Sequence, residues 1–115
     1  QVSSWSFDID RLPALAVGRV ALLGDAGHAM SSSQARGMTA GLENAVALAR
    51  QLAIEASGGG AAAAGPNHAA ELSPVAAALR RYCTERLPVV HRYQARSREV
   101  SARTGRLRRP RVAAA

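Results

Sequence analysis

The sequence has no lysine, one cysteine, one Trp, one Phe, two Tyr and no long apolar run, and each shortage removes a class of protein. A lone Cys83 excludes an internal disulfide and a cysteine-based metal pattern, which points to a reducing cytoplasm. No stretch approaches the roughly 18 apolar residues that span a bilayer, and no charged segment precedes a short apolar core as in a secretory leader. The one glycine-rich stretch, Ser57 to Ala64, carries no G-x-G-x-x-G after a strand, so the phosphate-cradling loop of a dinucleotide site is missing. Ser31, Ser32 and Ser33 lie in no G-x-S-x-G elbow and read as turn and capping residues rather than nucleophiles.

Charge is abundant but uneven. Residues 1–79 hold four Arg against six acids, and residues 80–115 hold eleven Arg against two Glu, giving the net +7 of the whole. A basic tail of this kind suits an acidic surface or nucleic acid. The basic half offers only Tyr82 and Tyr93 for stacking and no groove-reading motif, which weighs against nucleic acid. At 115 residues the chain allows one domain with a modest core.

What is present centres on Arg19 to Ile54. Val20, Ala21, Leu22 and Leu23 form a continuous apolar run, which predicts a strand at 19–23 buried on both faces of a mostly parallel sheet. Gly24 and Asp25 end it. From about Gly37 the period changes, with Met38, Leu42, Ala45, Val46, Ala49, Leu52 and Ala53 at helical spacing, which predicts a helix over 37–56 packing back on the strand.

The strand ending in Gly24, Asp25, Ala26, Gly27 and His28, followed by Gly37 and by a helix carrying Glu43, Asn44 and Ala45, resembles the class A flavoprotein monooxygenases that hydroxylate aromatic compounds. The resemblance implies an α/β fold: a fragment of the FAD/NAD(P)-binding, p-hydroxybenzoate hydroxylase-like architecture, with one buried strand and two or three helices. It places Gly24, Asp25, Arg36, Gly37 and Met38 at the cofactor. There Asp25 would accept hydroxyl donors from the FAD ribityl chain, and Gly24 would let backbone approach. The N-terminus of the helix at Gly37 would face the edge of the flavin ring where negative charge collects, as unpaired N–H groups and the macrodipole favour. The chain departs from the family at Ser32, Ala35, Arg36, Thr39 and Asn44, where the family has Pro, Gly, Gln, Asn and Asp. Arg36 brings a permanent cation that can favour an anion beside the ring. His28 reads as a packing or supporting residue rather than an acid or base, and no metal site is expected.

The flanks are read from their punctuation. In QVSSWSFDID, Val2, Trp5 and Phe7 suit an edge strand whose aromatics belong to the core. Residues 1–56 thus form the end of the substrate-domain strand and the strand-turn-helix unit, and 57–72 a flexible Gly/Ala linker with a solvated His68. Ser73 before Pro74 reads as an N-cap and first helical residue. A helix bent at Pro88 follows over 73–105 with Gly105 as its stop, and 106–115 is read as a disordered basic tail.

The functional expectation is the FAD-binding segment of an enzyme that hydroxylates a small aromatic molecule with NADH or NADPH and O2. Such enzymes are several times longer, so the chain reads as a C-terminal fragment or a truncated product, binding FAD fully only with an N-terminal part. The alternative is a noncatalytic remnant that acts as a basic helical interaction module. A G-x-G-x-x-G reading frame upstream separates the two.

Overall fold

The computed structural model describes residues 11–58 and 73–108. Trp5 and Phe7, most of the linker with His68, and residues 109–115 lie outside the described residues.

The apolar run after Arg19 makes a hairpin. Strands β1 (Ala16–Val17) and β2 (Val20–Ala21) pair antiparallel, Ala16 opposite Ala21 and Val17 opposite Val20. Gly18 opens the two-residue turn with φ 57°, a conformation that glycine reaches without steric cost. Beyond the strands, the Leu22 N–H donates to the Leu15 carbonyl at 2.8 Å. The expected strand at 19–23, buried on both faces of a parallel sheet, is therefore corrected: Val20 is 66% exposed. A parallel strand needs partners on both edges. Among the described residues the only partner is the one that the Gly18 turn supplies.

Three helices follow: α1 (Asp25–His28), α2 (Arg36–Ala56) and α3 (Pro74–Arg108), with a 3-10 turn at Ser32–Gln34 before α2. Helix α2 starts within a residue of its predicted position and closes as the glycines dictate. Ser57 N–H reaches the Ala53 carbonyl, Gly58 N–H reaches that of Glu55, and Gly58 turns left-handed at φ 76°. Helix α3 begins as its sequence signals, with the Ala76 N–H donating to the Ser73 hydroxyl at 3.3 Å and Pro74 as first residue. It then runs through Pro88 and past the expected stop at Gly105 as far as Arg108, the last described residue. Pro88 is exposed, so the helical carbonyl that its missing N–H leaves behind can turn to water.

The face that α2 buries is not its apolar stripe. Ala40, Asn44, Ala47 and Gln51 are buried, spaced by four, three and four residues. Met38, Leu42 and Val46, predicted to pack inward, are 78%, 64% and 70% exposed. The buried set is small or amide-bearing, which lets the helices approach closely while α3 supplies hydrogen bonds. Arg81 donates to Gln51 at 2.9 Å and pairs with Glu55. Gln51 donates to Glu85 at 3.1 Å, and Arg50 pairs with Glu85 from the more exposed side. Arg86 reaches Asn44 at 2.7 Å and Glu43 at 2.6 Å. The apolar core proper is Leu15, Ala47, Tyr82 and Val90, with Ala16, Ala21, Leu48, Cys83 and Leu87 packed on it.

Helix α3 also holds the irregular segment before α2. Tyr82 donates its hydroxyl to the Leu22 carbonyl at 2.9 Å, Gln94 its amide to that of Ala29 at 3.3 Å, and Ser97 its hydroxyl to that of Ser31 at 2.9 Å. His91 Nε2 lies 3.0 Å from the Leu12 carbonyl, and the Leu15 N–H meets Cys83 Sγ at 3.2 Å. Tyr82 is completely buried, which also raises its pKa above the ordinary tyrosine value. Tyr82→Phe keeps the packing and orphans the Leu22 carbonyl, so it should cost about 1–2 kcal/mol. A thermal melt of the chain followed by circular dichroism should show a Tm several degrees lower.

Candidate flavin-contacting turn

The turn at Gly24–Asp25 is built from two backbone constraints. Gly24 takes φ 57° and ψ −143° at the start of α1, a region open to glycine and closed to residues with a Cβ. Gly27, one turn of α1 later, is buried, and a Cβ there would stand 3.0 Å from Leu15 Cδ2 and 3.3 Å from Leu22 Cβ. The short helix therefore sits flush against the hairpin. Asp25 is exposed, and no described residue donates a hydrogen bond to its carboxylate.

The first turns of α2 lie against this turn. A Cβ on Gly37 would stand 3.9 Å from Asp25 Oδ1 and 4.0 Å from Met30 Cγ, and one on Gly41 would stand 3.6 Å from Gly24 Cα. Gly24, Asp25 and Gly37, predicted from sequence as one site, are thus brought together. The N-terminus of α2 has no side-chain cap, since Ser32 and Ser33, two of the three predicted turn and capping serines, lie in the 3-10 turn and the position before Arg36 is Ala35. Helical N–H groups beside an exposed carboxylate make a surface that accepts anionic groups at one point and hydroxyl donors at the next.

Two predicted site residues are placed differently. Arg36 is exposed and lies over the Tyr93 ring, 5.4 Å from its centroid, a cation–π contact. Met38 is on the outward face of α2, beside Leu42 in the exposed stripe. Sequence reasoning missed Arg86, Tyr93 and Glu43 as a group. Arg86 joins Glu43 and Asn44, and the Tyr93 hydroxyl lies 3.3 Å from Glu43 Oε2. The signal available was only that Glu43 and Asn44 stand seven residues after Arg36 and Gly37, two helical turns along the same face. A shallow groove of about 400 Å³ between α2 and α3, floored by Leu42, Val46 and Ala47, does not include Gly24, Asp25 or Gly37.

His28 is fully buried, and among the described residues neither ring nitrogen has a hydrogen-bond partner. Burial lowers its pKa below 6.5, opposed by the weaker pull of its own backbone and of Asp25 and reinforced by Arg86. Among the described residues, no cluster of three or more His, Cys, Asp or Glu can hold a metal ion. No described helix is long and apolar enough to cross a membrane.

A sequence model of the FAD binding domain family matches residues 1–97. A salicylate hydroxylase from Pseudomonas putida is 53% identical over 45 residues, which are 39% of this chain and 10% of that enzyme. The match thus spans about a tenth of the relative's length. No solved structure matches significantly.

Two outcomes follow from the site's backbone and its histidine. Ala35 sits in the left-handed region at φ 51°, ψ 25°, which costs a residue with a Cβ about 1–2 kcal/mol, part of it offset by the extra freedom that glycine brings to the unfolded chain. Ala35→Gly should therefore stabilise the chain by about 0.5–1 kcal/mol, visible as a higher urea midpoint at unchanged slope. For His28 the unfolded chain binds a proton that the folded chain resists, so stability is full well above pH 6.5 and falls as the pH drops below it. Urea midpoints should decline from pH 8 to pH 5.5, and His28→Leu should flatten that decline.

Proposed function

The chain belongs to the FAD binding domain family, and from that membership we propose that it is the segment of a flavin-dependent monooxygenase that holds the ribityl chain and the pyrimidine edge of FAD. The observation that carries the reading is the exposed Asp25 carboxylate, without a hydrogen-bond donor among the described residues, beside Gly37 at the uncapped start of α2. A carboxylate there accepts two hydroxyl donors, and the left-handed Gly24 leaves open space where a side chain would otherwise stand. The backbone N–H groups of the first turn of α2 can hold the carbonyl edge of the ring and favour negative charge on it.

When bound, the flavin supplies electron transfer from NADH or NADPH and the activation of O2. The residues of this chain orient the cofactor. Asp25 fixes the ribityl chain, Gly24 and Gly37 allow close backbone approach, and Arg36 adds a cation within reach of the same helix end. Met38, beside them on α2, is proposed as an apolar contact. The substrate we propose is a small aromatic molecule, supported by the similarity to the Pseudomonas putida salicylate hydroxylase. The single Cys83 suits a reducing cytoplasm.

The test is FAD titration by fluorescence quenching. The chain alone, with no phosphate-cradling loop in its 115 residues, should bind more weakly than micromolar. Joined to the phosphate-binding part of a related monooxygenase, it should bind FAD tightly. In that protein Asp25→Ala should lower affinity by roughly 10- to 100-fold, the worth of a hydrogen bond to a charged group. Asp25→Asn should lose less, because its amide oxygen still accepts. Unchanged affinity in a folded Asp25→Ala variant would remove the proposed role of the turn.

A further inference from the structure

Of the residues assigned to the flavin, helix α3 meets Arg36 through the Tyr93 ring, and a second α3 side chain, Arg86, is placed to hold the helix that carries Arg36. Arg86 has a side chain only 11% exposed, and a guanidinium that buried must be committed to partners. Both of its contacts fall on α2. Its Nε donates to Asn44 Oδ1 at 2.7 Å and a terminal nitrogen donates to Glu43 Oε2 at 2.6 Å. Tyr93, two turns further along α3, adds its hydroxyl to the same Glu43, and its ring carries Arg36. The contacts thus run from Arg86 through Glu43 and Tyr93 back to the first residue of α2.

This matters because the start of α2 has little else to fix it. It has no side-chain cap, its entry residue Ala35 is strained, and its contacts with the Gly24–Asp25 turn are made through Gly37 and Gly41, which have no side chains to interlock. Asn44 is fully buried and its amide nitrogen has no partner among the described residues, so the hydrogen bond from Arg86 is what makes burying this side chain tolerable. At the other end of α2, Arg81 makes the corresponding contacts with Gln51 and Glu55. The two arginines divide the helix between them.

We infer that Arg86 is a positioning residue: through Glu43 and Asn44 it holds the first two turns of α2 against the Gly24–Asp25 turn, so that α3 sets the flavin-facing geometry without touching the cofactor. The flavin half of this statement rests on the function proposed above, and the helix-clamping half does not.

The experiment compares Arg86→Ala with Arg81→Ala in the full chain by amide hydrogen exchange. Arg86→Ala should raise exchange at residues 40–44 at least tenfold over residues 50–54, and Arg81→Ala should do the reverse. Arg86→Lys should recover part of the protection, since it keeps a cation for Glu43 but lacks the planar fork that also reaches Asn44. If Arg86→Ala does not fold, Arg86→Lys alone should still exchange faster at 40–44 than wild type. Equal loosening of both ends by either variant, or no change at 40–44, overturns the clamp. In the flavin-binding fusion described above, Arg86→Ala should weaken FAD tenfold or more and Arg81→Ala less than twofold. Equal weakening by both overturns the positioning role. A wild-type fusion that binds no FAD overturns the flavin reading instead, while the exchange comparison still decides the clamp.

Discussion

The structure depends on α3 satisfying carbonyls that the segment before α2 cannot satisfy within itself. Residues 12–35 contain two strands of two residues each, one helix of four and one 3-10 turn, which leaves many backbone groups without internal partners. Tyr82, Gln94 and Ser97 donate to the carbonyls of Leu22, Ala29 and Ser31, and His91 meets that of Leu12. Each such bond contributes modestly, while each buried carbonyl left unmade would cost more than the bond is worth. A helix that presents Tyr82, His91, Gln94 and Ser97 along its length is therefore the template on which the segment is laid down.

The same logic explains the unusual burial of α2. Its inward face carries Ala40, Asn44, Ala47 and Gln51, and its outward face Met38, Leu42 and Val46. Two arginines and a glutamate on α3 reach across to the buried amides and their acidic neighbours, so the interface is specified by hydrogen-bond geometry as well as by apolar area. The apolar core that remains, around Leu15, Ala47, Tyr82 and Val90, joins hairpin to helices at one place. The exposed ion pair of Arg50 with Glu85 lowers the pKa of Glu85, chiefly through the hydrogen bond from Arg50. At that exposure it adds little stability.

The Gly24–Asp25 turn owes its geometry to small residues. Gly24 takes a backbone conformation that side chains disfavour, Gly27 lets α1 sit on Leu15 and Leu22, and Gly37 and Gly41 bring α2 within touching distance of the turn. Ala35 does the same kind of task with a Cβ and is strained for it. Ala35 tolerates the left-handed region only at a cost, so the loop into α2 is held by its surroundings rather than by its own preference.

The sequence by itself determined the local elements and the family. Gly24 and Asp25 mark the end of the apolar run, Ser73–Pro74 marks the start of α3, and the helical period from Gly37 marks α2, because each of these signals acts over a few residues of backbone. The juxtaposition of Gly24, Asp25 and Gly37 was legible through the family motif. Tertiary structure decided which way the elements face. The Val20–Leu23 run pairs with its own hairpin partner because no parallel neighbour is present among the described residues, and the apolar stripe of α2 points outward because α3 offers the opposite face better-matched donors. Arg86 and Tyr93 stand more than 40 positions from the residues they hold. No local pattern encodes such a pairing, since hydrogen bonds between distant side chains exist only once two helices have been brought into register.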